Sequence, residues 1–335
     1  MSATAIGVLF LLLAGAMNGS FTLPMKFTKR WAWENTWFFW TIFALVIFPP
    51  LLTFLTVPRL GAVYHEASGG VIWMVIACGA GWGVSQVFLG LAVDAIGMAL
   101  SFSVILGLSA AVGSIIPLIR LHPGEVLTGE GIAVMVGVLL VLIGVGVCAV
   151  AGRRREAALG QGPAKVSVMV GLFFSVISGL GSALVNLGLT FGHPLLEVAQ
   201  RIGAAARWSP NAVWMPLMLA GGVPNLIYCL CLMGKNKTGK QLGGGGVSHV
   251  SLAAVMGFCW FASTVIYGIA AGMMGSLGTV LGWPLFMSLI VITATLWGVF
   301  TGEWRNAGRK PLQIMWSGVG VLVVAIFVLA SAGRW

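Results

Sequence analysis

Ten stretches of about twenty apolar residues follow one another with only short polar breaks between them, and no other feature limits the possible folds so strongly. In hydrocarbon, backbone N–H and C=O groups must be bonded within their own segment, so each stretch reads as a helix. At this length each can cross an apolar core of roughly 30 Å. They cover approximately residues 4–24, 35–57, 70–92, 96–119, 130–151, 167–191, 210–233, 250–272, 276–300 and 312–332, numbered here as spans one to ten. Only 8% of the 335 residues are charged and mean hydropathy is +1.02, whereas a water-soluble domain carries about 25% charged residues. The expected fold class is an all-α integral membrane protein of ten transmembrane helices. The first stretch has no basic leader and no small-residue cleavage site, so it reads as an uncleaved first span.

A net charge of +10 could indicate a nucleic-acid partner, but the basic residues sit in the breaks, where they orient a membrane chain. Counted over alternate breaks, one side carries thirteen (Lys26, Lys29, Arg30, Arg153 to Arg155, Lys165, Lys235, Lys237, Lys240, Arg305, Arg309 and Lys310) and the other carries five. The richer side is expected in the cytoplasm and both termini outside. Neither nucleic acid, a metal nor a cofactor is implied. The cysteines lie within apolar runs, and His65, His122, His193 and His249 are scattered without metal-ligand or catalytic spacing. A membrane enzyme would need a cluster of acid, base or nucleophile, and the sequence contains none.

The chain also repeats itself. Residues 79–97, GAGWGVSQVFLGLAVDAIG, return as residues 257–275, GFCWFASTVIYGIAAGMMG, with seven of nineteen positions identical, among them Gly79 with Gly257, Trp82 with Trp260, Ser85 with Ser263 and Gly97 with Gly275. A fainter echo sets Asn18 against Asn186 and Thr22 against Thr190. Five spans per copy is an odd number, so the second copy must enter the membrane in the opposite direction. The expected organisation is two inverted five-helix repeats, residues 1–152 and 167–335, joined by a charged, Gly-containing cytoplasmic loop over 153–166. Such repeats place a substrate site at their interface and operate by alternating access.

Within each copy the Trp, the Ser and the residue after it are spaced i, i+3 and i+4 and share one helical face. That face holds Trp82, Ser85 and Gln86 in the first copy and Trp260, Ser263, Thr264 and Tyr267 in the second. Small residues and back-bonded hydroxyls serve packing in most membrane helices, and Trp, Asn and Thr here can be read that way. The combination of amides, hydroxyls and indoles on matched faces also fits a small polar solute with apolar C–H faces. The candidate substrate-binding set is Asn18, Trp82, Ser85, Gln86, Asn186, Trp260, Thr264 and Tyr267. Trp31, Trp33 and Trp37 read as an interfacial belt, Glu34 as a headgroup-level acid, and the glycine-rich break over 235–249 as a flexible basic loop.

Three motifs, LPMKFTKRWAWENTW after span one, GAGWGVSQVFLGLAVDAIGM across spans three and four, and GEWRNAGRKP before span ten, resemble the bacterial L-rhamnose:proton symporters. The resemblance runs over nearly the whole chain. It implies membership of the drug/metabolite transporter superfamily, an architecture of two inverted five-helix halves, and import of a neutral deoxyhexose with protons. The alternative within the superfamily is an exporter of metabolites or drugs. All eight acids, however, lie in breaks or at span ends. Asp94 and Glu34 are the nearest candidates for a proton-coupling group, and their positions predict weak coupling or uniport unless folding carries one of them inward.

Overall fold

The computed structural model describes residues 3–160 and 168–332. Among them there is no strand, and ten helices are long and apolar enough to cross a membrane: Ala3–Phe27, Trp33–Thr56, Gly69–Ile96, Leu100–Leu121, Gly129–Ala158, Val168–Phe191, Asn211–Asn236, Thr238–Met273, Gly278–Phe300 and Arg309–Ala332. These are spans one to ten, and the chain is a multi-pass membrane protein. The connecting loop is shorter than expected, because span five continues helically through Arg153, Arg154 and Arg155 to Ala158. The remainder of the expected loop, from residue 161, and the C-terminal Trp335 lie outside the described residues.

Three features depart from simple apolar cylinders, each for a local reason. In span two the helix widens to a π-turn over Ile42–Ile47, immediately ahead of Pro49 and Pro50. Neither proline supplies an N–H, and their rings crowd the carbonyls of Leu45 and Val46, so the backbone bonds are re-routed. Thr53 Oγ1 donates to the Pro49 carbonyl at 2.7 Å. At the start of span eight, the expected flexible loop is replaced by a 3-10 turn, Thr238–Gln241, and a helix, Leu242–Met273, kinked at Gly246 with φ 56°. His249 therefore belongs to a helix, buried with its ring edge against Trp31. Two short helices, Leu60–Glu66 and His193–Ile202, stand where the sequence reading left bare breaks. Pro at the start and left-handed Gly203 at the end of the second are ordinary helix boundary signals. Arg59 Nη2 donates to the Ile202 carbonyl at 2.6 Å, Arg201 pairs with Glu66 at 3.2 Å, and Tyr64 donates to the Ala212 carbonyl at 2.9 Å. Burial pushes the Tyr64 phenol far above its ordinary range.

The chain forms two compact units. The first gathers Met1–Gly19, Ser85–Asn186 and Ala270–Trp335, and the second Ser20–Val84 and Leu187–Ile269. This division differs from the halves expected from duplication, since each unit takes stretches from both. The first unit is closed by glycines that admit neighbouring side chains. A Cβ at Gly137 or Gly144 of span five would meet Leu329 or Leu322 of span ten, and one at Gly15 of span one would meet Leu289 of span nine. Close approach of this kind is the main source of helix association in lipid, where no hydrophobic force draws helices together. At one end Arg155 pairs with Glu303 at 2.8 Å and lies over the Trp304 ring.

The second unit uses the first glycine of each repeated segment in the same way. Gly79 of span three lies against the Leu217 carbonyl of span seven, and Gly257 of span eight lies against Phe43 and Ala44 of span two. The last glycine of each copy has a positive φ, 83° at Gly97 and 79° at Gly275, a region open to glycine without steric cost.

Candidate functional site

In the second unit, two of the expected site residues meet directly. Trp82 and Trp260 stack with ring centroids 5.4 Å apart and planes 17° from parallel. Glycine makes room for this: a Cβ at Gly221 of span seven would collide with the Trp82 ring. The stack continues through a residue absent from the sequence-based set. Trp40 meets Trp260 edge-on at 5.4 Å and Trp37 at 4.3 Å, and Trp37 stacks on Trp33 at 5.1 Å. Phe21 packs on Trp40 at 5.9 Å. Five indoles from spans two, three and eight thus form a continuous row, from exposed Trp33 to buried Trp82. Trp33 keeps the exposure of an interfacial residue, but Trp37 belongs to this row, and Trp31 is buried against Phe39 and His249. The 33, 37, 40 spacing on one helical face was the available signal for Trp40.

A second residue missed by sequence reading, Asn225, holds the row in place. Its Oδ1 accepts from Trp37 Nε1 at 3.3 Å, while its Nδ2 donates to the Gly221 carbonyl at 2.9 Å and more weakly to that of Gly83 at 3.5 Å. The amide thereby links spans two, three and seven. Ser263 and Thr264 donate back to the Trp260 carbonyl at 2.6 and 3.1 Å, the local bonding common for hydroxyls in apolar helices. Tyr267 is wholly buried. A separate groove of about 410 Å³, lined by Tyr64, Ile72, Ile76, Pro216, Leu219 and Val223, is almost purely apolar and offers nothing to a hydroxylated solute.

The remaining expected residues, Asn18, Ser85, Gln86 and Asn186, belong to the first unit. There the polar groups are largely committed to backbone carbonyls. Asn186 Nδ2 donates to Gly113 at 2.8 Å and to Thr279 at 3.1 Å, tying span six to span four and to the start of span nine. Ser114 donates to Val280 at 2.8 Å, and Trp283 Nε1 to Ser109 at 3.0 Å. Asn18 and Ser85 are buried, whereas Gln86 is half-buried with Nε2 3.4 Å from Ser85 Oγ.

Of the two acids, Asp94 is exposed and Glu34 is not. Glu34 is 5% exposed in the second unit, its Oε1 accepting from Thr238 Oγ1 at 2.7 Å and Asn236 Nδ2 at 3.0 Å. Around it, Asn35 Nδ2 donates to the Thr238 carbonyl at 3.1 Å and the Ala32 amide donates to Gln241 Oε1 at 2.8 Å. The WENTW motif is therefore the clasp that orders the turn between spans seven and eight. No group of three or more metal-ligating side chains occurs among the described residues.

Comparison with known proteins agrees with this all-helical carrier architecture. Residues 1–333 match the family model described as L-rhamnose-proton symport protein (RhaT). Relatives named L-rhamnose-proton symporter from Shigella boydii, Shigella dysenteriae and Escherichia coli are each 27% identical, over 97% of this chain and 96% of their own length. These are carriers rather than enzymes, and with the match running from one end of the chain almost to the other, the protein belongs to the L-rhamnose-proton symport protein family.

Proposed function

We propose that the protein imports L-rhamnose, or a closely similar deoxyhexose, together with protons across the cytoplasmic membrane. The family match over residues 1–333 carries this reading, and it disfavours the exporter alternative. The chemistry of the second unit supports it: an indole row suits the C–H face and methyl group of a 6-deoxy sugar, and amides and hydroxyls suit its hydroxyls. Trp82 and Trp260 are the stacking residues, with Thr264 and Tyr267 on the same helix face as Trp260. In the first unit, half-buried Gln86 is the candidate least committed to packing, whereas Asn186 is bonded to two backbone carbonyls.

Transport proceeds by alternating access of two inverted five-helix repeats, residues 1–152 and 167–335. Equivalent use of Gly79 and Gly257, and of Gly97 and Gly275, supports the duplication. The basic breaks face the cytoplasm and both termini face outward. Glu34 is the coupling acid in this reading, supported by its burial in the second unit, which sets it apart from exposed Asp94. Expression in a bacterial strain unable to take up L-rhamnose tests the reading. Restored growth on L-rhamnose is expected; failure with the protein present in the membrane contradicts it.

A further inference from the structure

We infer that Trp40 is a specificity-determining residue, its indole N–H donating to one hydroxyl of the sugar whose C–H face lies on the neighbouring indoles. This rests on the sugar-carrier reading above and adds a residue and an atom to it. Three observations point to Trp40. Its ring is 1% exposed and its Nε1 is buried with no hydrogen-bond partner among the described residues. A buried donor left in that condition carries a desolvation cost, and such groups are rare except where function requires them. Its neighbour in the row, Trp37, has its own N–H satisfied by Asn225; Trp31 and Trp214 share the unmet donor, but Trp40 is the one of the three in ring contact with Trp260. Finally, the π-turn Ile42–Ile47 begins two residues after Trp40. Such a widened turn re-aims the preceding helical face and recurs at functional sites.

The neighbours leave few other roles for the N–H. Phe21, Trp37 and Trp260 pack around the ring, and none of their side chains carries an oxygen acceptor. A sugar supplies both missing elements, an oxygen for the N–H and C–H groups for the rings. Direct contact between Trp82 and Trp260 at 5.4 Å excludes a sugar ring from between them, so the sugar meets an outer face of this pair, and on Trp260 the adjoining indole is Trp40.

The test is equilibrium binding of L-rhamnose and its monodeoxy analogues to the purified full-length protein. Trp40→Phe keeps a ring and removes the N–H. We expect L-rhamnose to bind about tenfold more weakly to it, the value of one hydrogen bond, while one analogue, lacking the hydroxyl that Trp40 serves, binds variant and wild type equally. Trp31→Phe serves as the control, because Trp31 Nε1 is also buried without a partner but its ring contacts Phe39 and His249; its sugar profile should match wild type. Replacement of Trp40 by benzothienylalanine, which preserves the indole shape without the N–H, gives the same readout should the phenylalanine variant fold poorly. Unchanged L-rhamnose affinity in both Trp40 variants overturns the inference, as does an equal loss for every analogue. Wild-type protein that binds no deoxyhexose overturns the sugar reading and this inference with it.

Discussion

The two compact units differ in what joins their spans, polar side chains bonded to backbone in the first and a row of indoles in the second. In the first, side-chain donors end on backbone carbonyls of neighbouring spans: Asn186 on Gly113 and Thr279, Ser114 on Val280, Trp283 on Ser109. In the second, an indole row occupies the interior, and Trp40 Nε1 within it has no acceptor among the described residues. A donor already bonded to backbone fixes a helix but has little left for a solute. An aromatic row with an unmet donor and a buried carboxylate nearby on span two retains capacity for both sugar and proton. The proposed function accordingly places recognition on the second unit's rings and leaves the backbone-bonded groups of the first unit as scaffold.

The largest effect is expected at Glu34. Glu34→Gln retains an oxygen for Thr238 and Asn236 but cannot carry a proton, so concentrative uptake in a pH gradient should be lost while exchange of labelled for unlabelled sugar persists. Loss of both together would make Glu34 a structural clasp instead. Next, Trp260→Ala removes the ring on which the sugar's C–H face would lie, and L-rhamnose affinity should fall about tenfold, from the loss of one aromatic face of about 1.5 kcal/mol. An affinity within twofold of wild type would remove the row from the site. In the first unit, Asn186→Ala leaves two buried carbonyls without their donor. It should cost about 2 kcal/mol of stability and lower the melting temperature by several degrees, with the affinity of the remaining folded protein unchanged. An affinity loss without a fall in melting temperature would reverse the assignment for Asn186. Gln86→Ala should show the opposite pattern, weaker uptake at an unchanged melting temperature. Smallest of all, Thr264→Ala deletes only a local bond to the Trp260 carbonyl and should change stability by less than about 0.5 kcal/mol.

The spans were legible because apolar length is written locally, and most observed ends fall within a few residues of the apolar runs. The duplicated motif was legible too, and it led directly to Trp82 and Trp260. What escaped sequence reading depends on partners far along the chain. Glu34, set among tryptophans at a break, gives no local sign of the Asn236 and Thr238 side chains that bond to it from about two hundred positions away. The glycines at 243–246 resemble a linker, yet Arg30 Nη1 donates to the Gly244 carbonyl at 3.3 Å and the Trp31 indole packs on Gly245, so the segment is ordered by residues more than two hundred positions away. Trp40 stands in an unbroken apolar run, where an indole that packs and one that recognises have the same sequence context. The compact units themselves could not be anticipated from the halves, because each is assembled from both.

The most direct test of proton-coupled sugar import uses the purified protein in liposomes, with labelled L-rhamnose outside and the interior made alkaline relative to the medium. Accumulation well above the external concentration, collapsing when a protonophore is added, is the predicted result. Equilibration without accumulation would contradict coupling and reinstate uniport, and no uptake of L-rhamnose or any other deoxyhexose by orientation-verified protein would contradict the sugar assignment itself.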